Sequence, residues 1–123
     1  MKNIEVINLI NAVDSIRKSG RVLSKQVSFT IAKNYQKLLQ IYNVYDEERI
    51  KLIHKYDIED KDGEEKVHDR DIGRVEFNKE LNELLMLDNP ELEANLIKIR
   101  LDELPDNTLT LDEIMSLAGM IEE

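Results

Sequence analysis

The sequence has 123 residues, a formal net charge of −9, 41% apolar residues and no cysteine. This length fits one domain, residues 1–123, with a modest core, and the absence of cysteine excludes disulfides, thiolate metal sites and cysteine nucleophiles. Polar residues interrupt the apolar N-terminal run, and no stretch approaches the twenty or so apolar residues of a membrane span. We therefore expect a cytosolic protein that does not bind membranes.

The charge is unevenly distributed along the chain. Residues 1–14 carry −1, residues 15–45 carry +6 and residues 46–123 carry −14. The basic segment favours an anionic ligand, whereas the acidic remainder makes nucleic acid an unexpected partner except as a target of mimicry. The alternative is that the two parts face each other within the fold or across a dimer.

The first predicted helix covers residues 3–17. Ile4, Ile7, Ile10 and Val13 recur at helical spacing, and further apolar residues widen this face to more than half of the circumference. Such a helix is expected to be surrounded by neighbouring elements. Gly20 then supplies the left-handed residue that commonly follows a helix.

A second, much longer helix is predicted to begin at Ser24 or Ser28 and to end near Tyr56. Its apolar stripe consists of Val27, Ile31, Tyr35, Leu38, Ile41, Tyr42, Tyr45, Leu52, Ile53 and Tyr56. About thirty residues span about 45 Å, which is longer than a compact domain of this size is wide. The helix is therefore expected to bend or to find a partner, which predicts a homo-oligomer (dimer or higher).

Two polar residues, Asn34 and Arg49, interrupt this stripe. One interpretation is a contact with a ligand or partner, in which Arg49 binds a carboxylate or phosphate. The alternative is a structural role, with Arg49 paired to an acid of another helix and Asn34 fixing the register of packing.

Residues 57–71 contain eight acids and three bases, which predicts a solvated acidic loop over 57–73. Asp60, Asp62 and Gly63 match positions 3, 5 and 6 of an EF-hand loop. Positions 1 and 12 are Ile58 and Asp69, where a carboxylate and a bidentate glutamate belong, so a calcium site is not expected.

A third helix is predicted over residues 74–87, with a core face of Val75, Phe77, Leu81, Leu84, Leu85 and Leu87. Residues 92–101 then alternate between apolar and polar, which favours a strand, although Asn89-Pro90 is also a good helix opening. The strand's partner would be residues 21–23 or the same strand of a second copy. A last helix opens at Thr110, with Glu113 completing a capping box, and continues to Ile121. Its predicted core residues are Leu111, Ile114, Met115, Leu117, Ala118 and Ile121.

The sequence therefore predicts a mainly α fold: an elongated helical bundle built on one long central helix, with at most a minor β element near residues 92–101. His54 and His68 belong to no metal-ligand spacing, and no nucleophile elbow or glycine-rich phosphate loop is present. We expect no catalytic site, no metal and no cofactor, and hence a protein that acts by binding. The candidate partner- or ligand-binding residues are Arg17, Arg21, Lys25, Lys33, Asn34, Tyr42, Tyr45 and Arg49.

Six blocks of the sequence carry a resemblance: residues 7–13, 27–34, 47–56, 77–85, 97–105 and 120–123. Together they resemble an uncharacterised family of small helical proteins encoded by phages and prophages of Gram-positive bacteria. The blocks are packing patterns and assign no functional residue. The resemblance implies an accessory protein in the cytosol of the host bacterium that binds a host or phage protein.

Three functions are compatible with this resemblance. The first is inhibition of a host factor such as an anti-phage defence system, and the second is assembly of the virion tail or capsid. The third is an oligomer that binds a small anionic signalling molecule, which requires Arg17, Arg21 and Lys25 to meet in a pocket between subunits.

Overall fold

The computed structural model describes residues 1–56, 58–61, 64–67, 71–104 and 108–122. Within these ranges, it describes the side chains of all residues except 57–72. The fold is mainly α, as predicted. The helices are α1 (Asn3–Lys18), α2 (Lys25–Lys55), α3 (Asp71–Leu85), α4 (Leu92–Asn95) and α5 (Leu111–Ser116), and short 3-10 helices cover Leu101–Glu103 and Ala118–Met120. The strands are β1 (Ile58–Lys61), β2 (Glu64–Val67), β3 (Ile99–Arg100) and β4 (Ile121–Glu122).

The ends of the first two helices follow from local chemistry. Two cations lie in the last turn of α1, where they stabilise the negative end of the helix dipole. Gly20 then turns the chain with a positive φ of 73°. Ser24 caps α2, because its hydroxyl accepts a hydrogen bond from the Val27 amide at 3.3 Å.

The long helix α2 is the element on which the others pack. Its N-terminal half packs against α1, and the Tyr35 hydroxyl donates a hydrogen bond to Asp14 at 2.9 Å across this contact. Its C-terminal end packs against α3, where the Tyr56 and Phe77 rings meet edge to face at 6.3 Å. Because neighbours within the same chain contact both ends of α2, its length no longer calls for a partner, and the homo-oligomer stays a prediction.

The hydrophobic core lies mainly between α1, the first half of α2 and residues 92–104 and 108–122, which we call the C-terminal segment. Its buried members are Met1, Val6, Leu9, Ile10, Val13, Ile16, Val27, Ile31, Leu38, Leu92, Leu96, Ile99, Leu117 and Met120. Burial of this apolar set from water is the main force that holds the elements together. Tyr45 and Phe77 are the buried apolar side chains of the described part beyond this cluster.

The predicted acidic loop is wrong over most of its length. β1 and β2 pair antiparallel with Ile58 opposite Val67, and α3 already begins at Asp71. The many charged residues indicated a loop because composition alone does not reveal which backbone groups pair between two strands. His68 and positions 62, 63 and 69 of the EF-hand comparison lie outside the described residues.

The predicted strand over residues 92–101 is also wrong in its first half. Leu92–Asn95 forms a helical turn, and the strand is confined to Ile99–Arg100. The side chains that are buried here are Leu92, Leu96 and Ile99, whose spacing of four and three is helical. The partner strand is β4, which runs parallel to β3, rather than residues 21–23 or a second copy.

The last helix begins as predicted and ends early. Thr110 caps α5 and Glu113 completes the capping box, but α5 stops at Ser116. Leu117 and Met120 are fully buried beyond it, and the chain then extends into β4. The predicted core faces are partly wrong as well, because Val75, Leu87, Leu111 and Met115 are exposed.

Candidate binding surface

The basic segment is folded into the end of α1, the connection to α2 and the first half of α2. Arg17 forms an ion pair with Asp14 at 3.1 Å, and its guanidinium lies 5.7 Å from the centre of the Tyr35 ring. Asp14 also accepts the hydrogen bond of the Tyr35 hydroxyl, which raises the pKa of Tyr35 above its ordinary value. Arg17 is therefore positioned against an aromatic ring while most of its side chain stays in solvent.

Arg21 joins this region to the C-terminal segment. Its guanidinium holds Glu113 through both terminal nitrogens, one of them 2.8 Å from Oε1, and donates to the Thr108 carbonyl at 3.0 Å. Its Nε donates to the Ser19 hydroxyl at 3.0 Å. The Arg21 guanidinium and the Thr110 amide together lower the pKa of Glu113 to about 2.

A cleft of about 350 Å³ lies between α1 and α2, next to both arginines. Its apolar lining consists of Val13, Ile16, Leu23, Ile31 and Ala32. Its polar lining consists of Arg17, Arg21, Ser28, Tyr35 and Gln36. An apolar floor with a few polar groups at the rim is the usual composition of a small-molecule site. Arg17 and Arg21 thus line a cleft within one chain, and Lys25 does not line it. A pocket between subunits stays a prediction.

The exposed side of α2 beside the cleft carries three residues in a row, Lys25, Phe29 and Lys33, which we call the basic ridge. They follow one another at four-residue intervals and so share one face of the helix. The Phe29 side chain is 62% exposed, and the Lys33 ammonium lies 5.0 Å from its ring centre. Neither lysine forms an ion pair with a described residue.

Asn34, a predicted binding residue, lies on the opposite side of α2 and is fully buried. Its amide nitrogen donates to the Ile97 carbonyl at 2.8 Å, and its amide oxygen accepts from the Ile97 amide at 2.8 Å. This pair of hydrogen bonds ties the segment before β3 to the central helix. The arrangement fits the structural interpretation of Asn34.

The other predicted residues lie far along α2 from the cleft. The Tyr42 and Tyr45 rings meet at 5.9 Å, Tyr45 is buried and Tyr42 is half-buried. Arg49 donates to Asp46 at 3.0 Å, one turn earlier on the same helix. The fold therefore groups Arg17, Arg21, Lys25 and Lys33 at one end and separates them from Tyr42, Tyr45 and Arg49.

Sequence reasoning missed Phe29, Glu113 as a partner of Arg21, and the role of Tyr35 beside Arg17. Phe29 was the one residue with a signal, since it stands outside the apolar stripe of α2 with a lysine four residues to either side. The Arg21–Glu113 contact joins residues 92 positions apart and leaves no local trace in the sequence.

Comparison with protein-family models, curated proteins and solved structures gives no significant match. Within the described ranges, no helix has the length and apolarity that a membrane crossing requires. In the same part of the chain, no three histidine, aspartate or glutamate side chains come together in an arrangement that could hold a metal ion.

Proposed function

We propose that this protein is a non-catalytic phage accessory protein that acts in the host cytosol by binding an acidic host protein, and thereby inhibits it, through the basic ridge. Inhibition of an anti-phage defence system is the expected consequence. The phage origin rests on the sequence resemblance. The choice of surface rests on the exposed Phe29 between two lysines.

The exposure of Phe29 is the observation that carries the proposal. A large aromatic side chain in water forgoes the free energy of burying its surface, and exposed aromatics are enriched at protein interfaces, where they often dominate the binding energy. In a molecule that buries Tyr45 and Phe77, Phe29 is the aromatic residue left most open among the described side chains.

The two lysines define the chemistry of the partner. Lys25 and Lys33 flank Phe29 without an ion pair in the described part of the chain, so their charge is available to a partner. Lys18 at the end of α1 adds another exposed cation nearby in the chain. An acidic protein surface with an apolar depression is the complement of this ridge, and the lysines would speed its association at low salt.

The experiment is a quantitative capture from infected Gram-positive host cells with three baits. The wild-type protein should retain one host protein, and the double variant Phe29→Ala, Lys33→Glu should lose it by at least about tenfold. Lys51→Glu is the matched control, because it makes the same charge change on an exposed part of α2 away from the ridge. The control should retain the host protein, and circular dichroism should show that all three baits are folded.

Different outcomes would overturn the proposal. If the double variant captured the same protein as the wild type, the ridge would not be the binding surface. If tail or capsid proteins were retained instead, the protein would be a virion assembly component. The host protein should also bind more weakly as salt is raised, and binding that is insensitive to salt would exclude the lysines from the interface.

A further inference from the structure

We infer that the cleft between α1 and α2 is a second binding site, which takes a small amphipathic carboxylate with a flat or branched apolar body. This site is separate from the basic ridge and does not depend on the proposed protein partner. Three features support this site: the apolar floor of the cleft, the two arginines at its rim and the carboxylate that Arg21 already holds.

The floor of the cleft selects an apolar body. Ile16, Leu23, Ile31 and Ala32 line it, and its volume of about 350 Å³ is within the range of pockets that bury small molecules. Ala32 contributes only a methyl group to this lining. A ligand that displaced water from these side chains would gain hydrophobic free energy in proportion to the apolar area covered.

The rim selects a negative charge. Arg17 lines the cleft, uses one terminal nitrogen for Asp14, and keeps a largely exposed guanidinium beside the Tyr35 ring. Arg21 belongs to the same lining. A guanidinium presents several N–H donors in one plane, which suits a carboxylate better than a neutral hydroxyl group.

The contact with Glu113 shows that the Arg21 guanidinium binds a carboxylate. The side chain of Glu113 occupies the guanidinium through both carboxylate oxygens. A ligand carboxylate in the cleft is the same chemical group and competes for the same donors. Ligand binding and the Arg21–Glu113 contact therefore oppose each other. As a result, removal of the Glu113 carboxylate should strengthen ligand binding, an effect not expected of a purely apolar cleft.

The first test uses three probes that separate the two requirements: 1-naphthoate, 1-naphthalenemethanol and acetate. Titration followed by amide chemical shifts should show saturable binding of 1-naphthoate, with the shifts concentrated on residues of the cleft. The neutral alcohol should bind at least about tenfold more weakly, and acetate should not bind in the same range. Equal binding of the alcohol, or shifts spread over the surface, would overturn the inference.

The second test uses variants. Arg17→Gln should weaken 1-naphthoate at least about fivefold, whereas Lys18→Gln, which removes the neighbouring charge outside the cleft, should change it less than twofold. Ala32→Phe should abolish binding by filling the floor. Glu113→Gln should strengthen binding at least about twofold, because it removes the competing carboxylate. Unchanged or weaker binding to Glu113→Gln would contradict the competition, and no effect of Arg17→Gln would contradict the site.

The two proposals fail independently. Phe29→Ala, Lys33→Glu should leave 1-naphthoate affinity unchanged, and Ala32→Phe should leave capture of the host protein unchanged. If the probe bound and the ridge captured no host protein, the inference about the cleft would be supported and the proposed function would not. Loss of probe binding in the ridge variant would show that the two surfaces are one site and would overturn their separation.

Discussion

Asn34 shows what a single buried amide contributes to this fold. Both ends of its side chain are used, since the nitrogen donates to the Ile97 carbonyl and the oxygen accepts from the Ile97 amide, each at 2.8 Å. Replacement by leucine keeps the size and removes both side-chain partners of the Ile97 backbone, while the leucine side chain fills the buried position of Asn34. We expect Asn34→Leu to lower the free energy of unfolding by about 2–4 kcal/mol, measured by urea denaturation.

Asn34→Asp is the informative companion to that substitution. An ionised aspartate still accepts from the Ile97 amide but cannot donate to the Ile97 carbonyl, and its charge is buried. Burial raises the pKa of the carboxyl, so the folded state binds the proton more tightly than the unfolded state, and this variant should regain stability as the pH falls from 7 to 5. A variant of unchanged stability at pH 7 would show that the amide is not needed.

At the scale of elements, the contact between Arg21 and Glu113 secures the start of α5. The pKa of Glu113 is lowered from 4.5 to about 2, chiefly by the hydrogen bond from Arg21. When the pKa of a carboxyl is lower in the folded state than in the unfolded state, its ionised form stabilises the fold at any pH above the unfolded-state pKa. This stabilisation is lost as the pH falls through the folded-state pKa. The wild type should therefore be more stable than Glu113→Gln at pH 7, and the difference should vanish between about pH 4.5 and 2.

The comparison of urea midpoints across this pH range tests the contact directly. Asp112→Asn is the control, because Asp112 is adjacent in the same first turn of α5 and takes no part in the ion pair. Its difference from the wild type should vary with pH much less than that of Glu113→Gln. A constant difference for Glu113→Gln would mean that its charge does not stabilise the folded state.

The elements differed in how far the sequence predicted them, for a physical reason. α1, α2 and the cap of α5 depend on local signals, namely helical periodicity, Gly20, Ser24 and Thr110, and these predictions are confirmed. The segment 92–101 and the end of the chain depend on each other, because β3 pairs with β4 across more than twenty residues. Alternation in one short stretch cannot reveal such a long-range partner.

The candidate site was predictable to a similar extent. The sequence placed Arg17, Arg21, Lys25 and Lys33 in one basic segment, and the fold keeps them at one end of the molecule. It could not separate them into a ridge and a cleft, because that division depends on how α1 lies against α2. The partner of Arg21 comes from the far end of the chain, so the sequence could not reveal that this guanidinium already holds a carboxylate.

At the scale of the whole molecule, the core is unevenly distributed along α2. Described buried side chains crowd the end shared by α1, the first half of α2 and the C-terminal segment, whereas the end shared with α3 has Tyr45 and Phe77. Regions with few buried apolar contacts open at lower free energy than the rest of a fold. We therefore expect the amides of residues 74–85 and 46–55 to exchange hydrogen about tenfold faster than those of residues 6–16 and 30–38.

Two truncations of core side chains test whether the end shared by α2 and α3 unfolds separately from the rest of the molecule or together with it. Phe77→Ala removes the aromatic ring that meets Tyr56 and should accelerate exchange mainly in α3 and the end of α2. Leu38→Ala opens a cavity at a fully buried position of the main core and should accelerate exchange in all helices. If Phe77→Ala accelerated exchange equally in α1, both ends would unfold together, and the uneven core would not divide the molecule into regions of different stability.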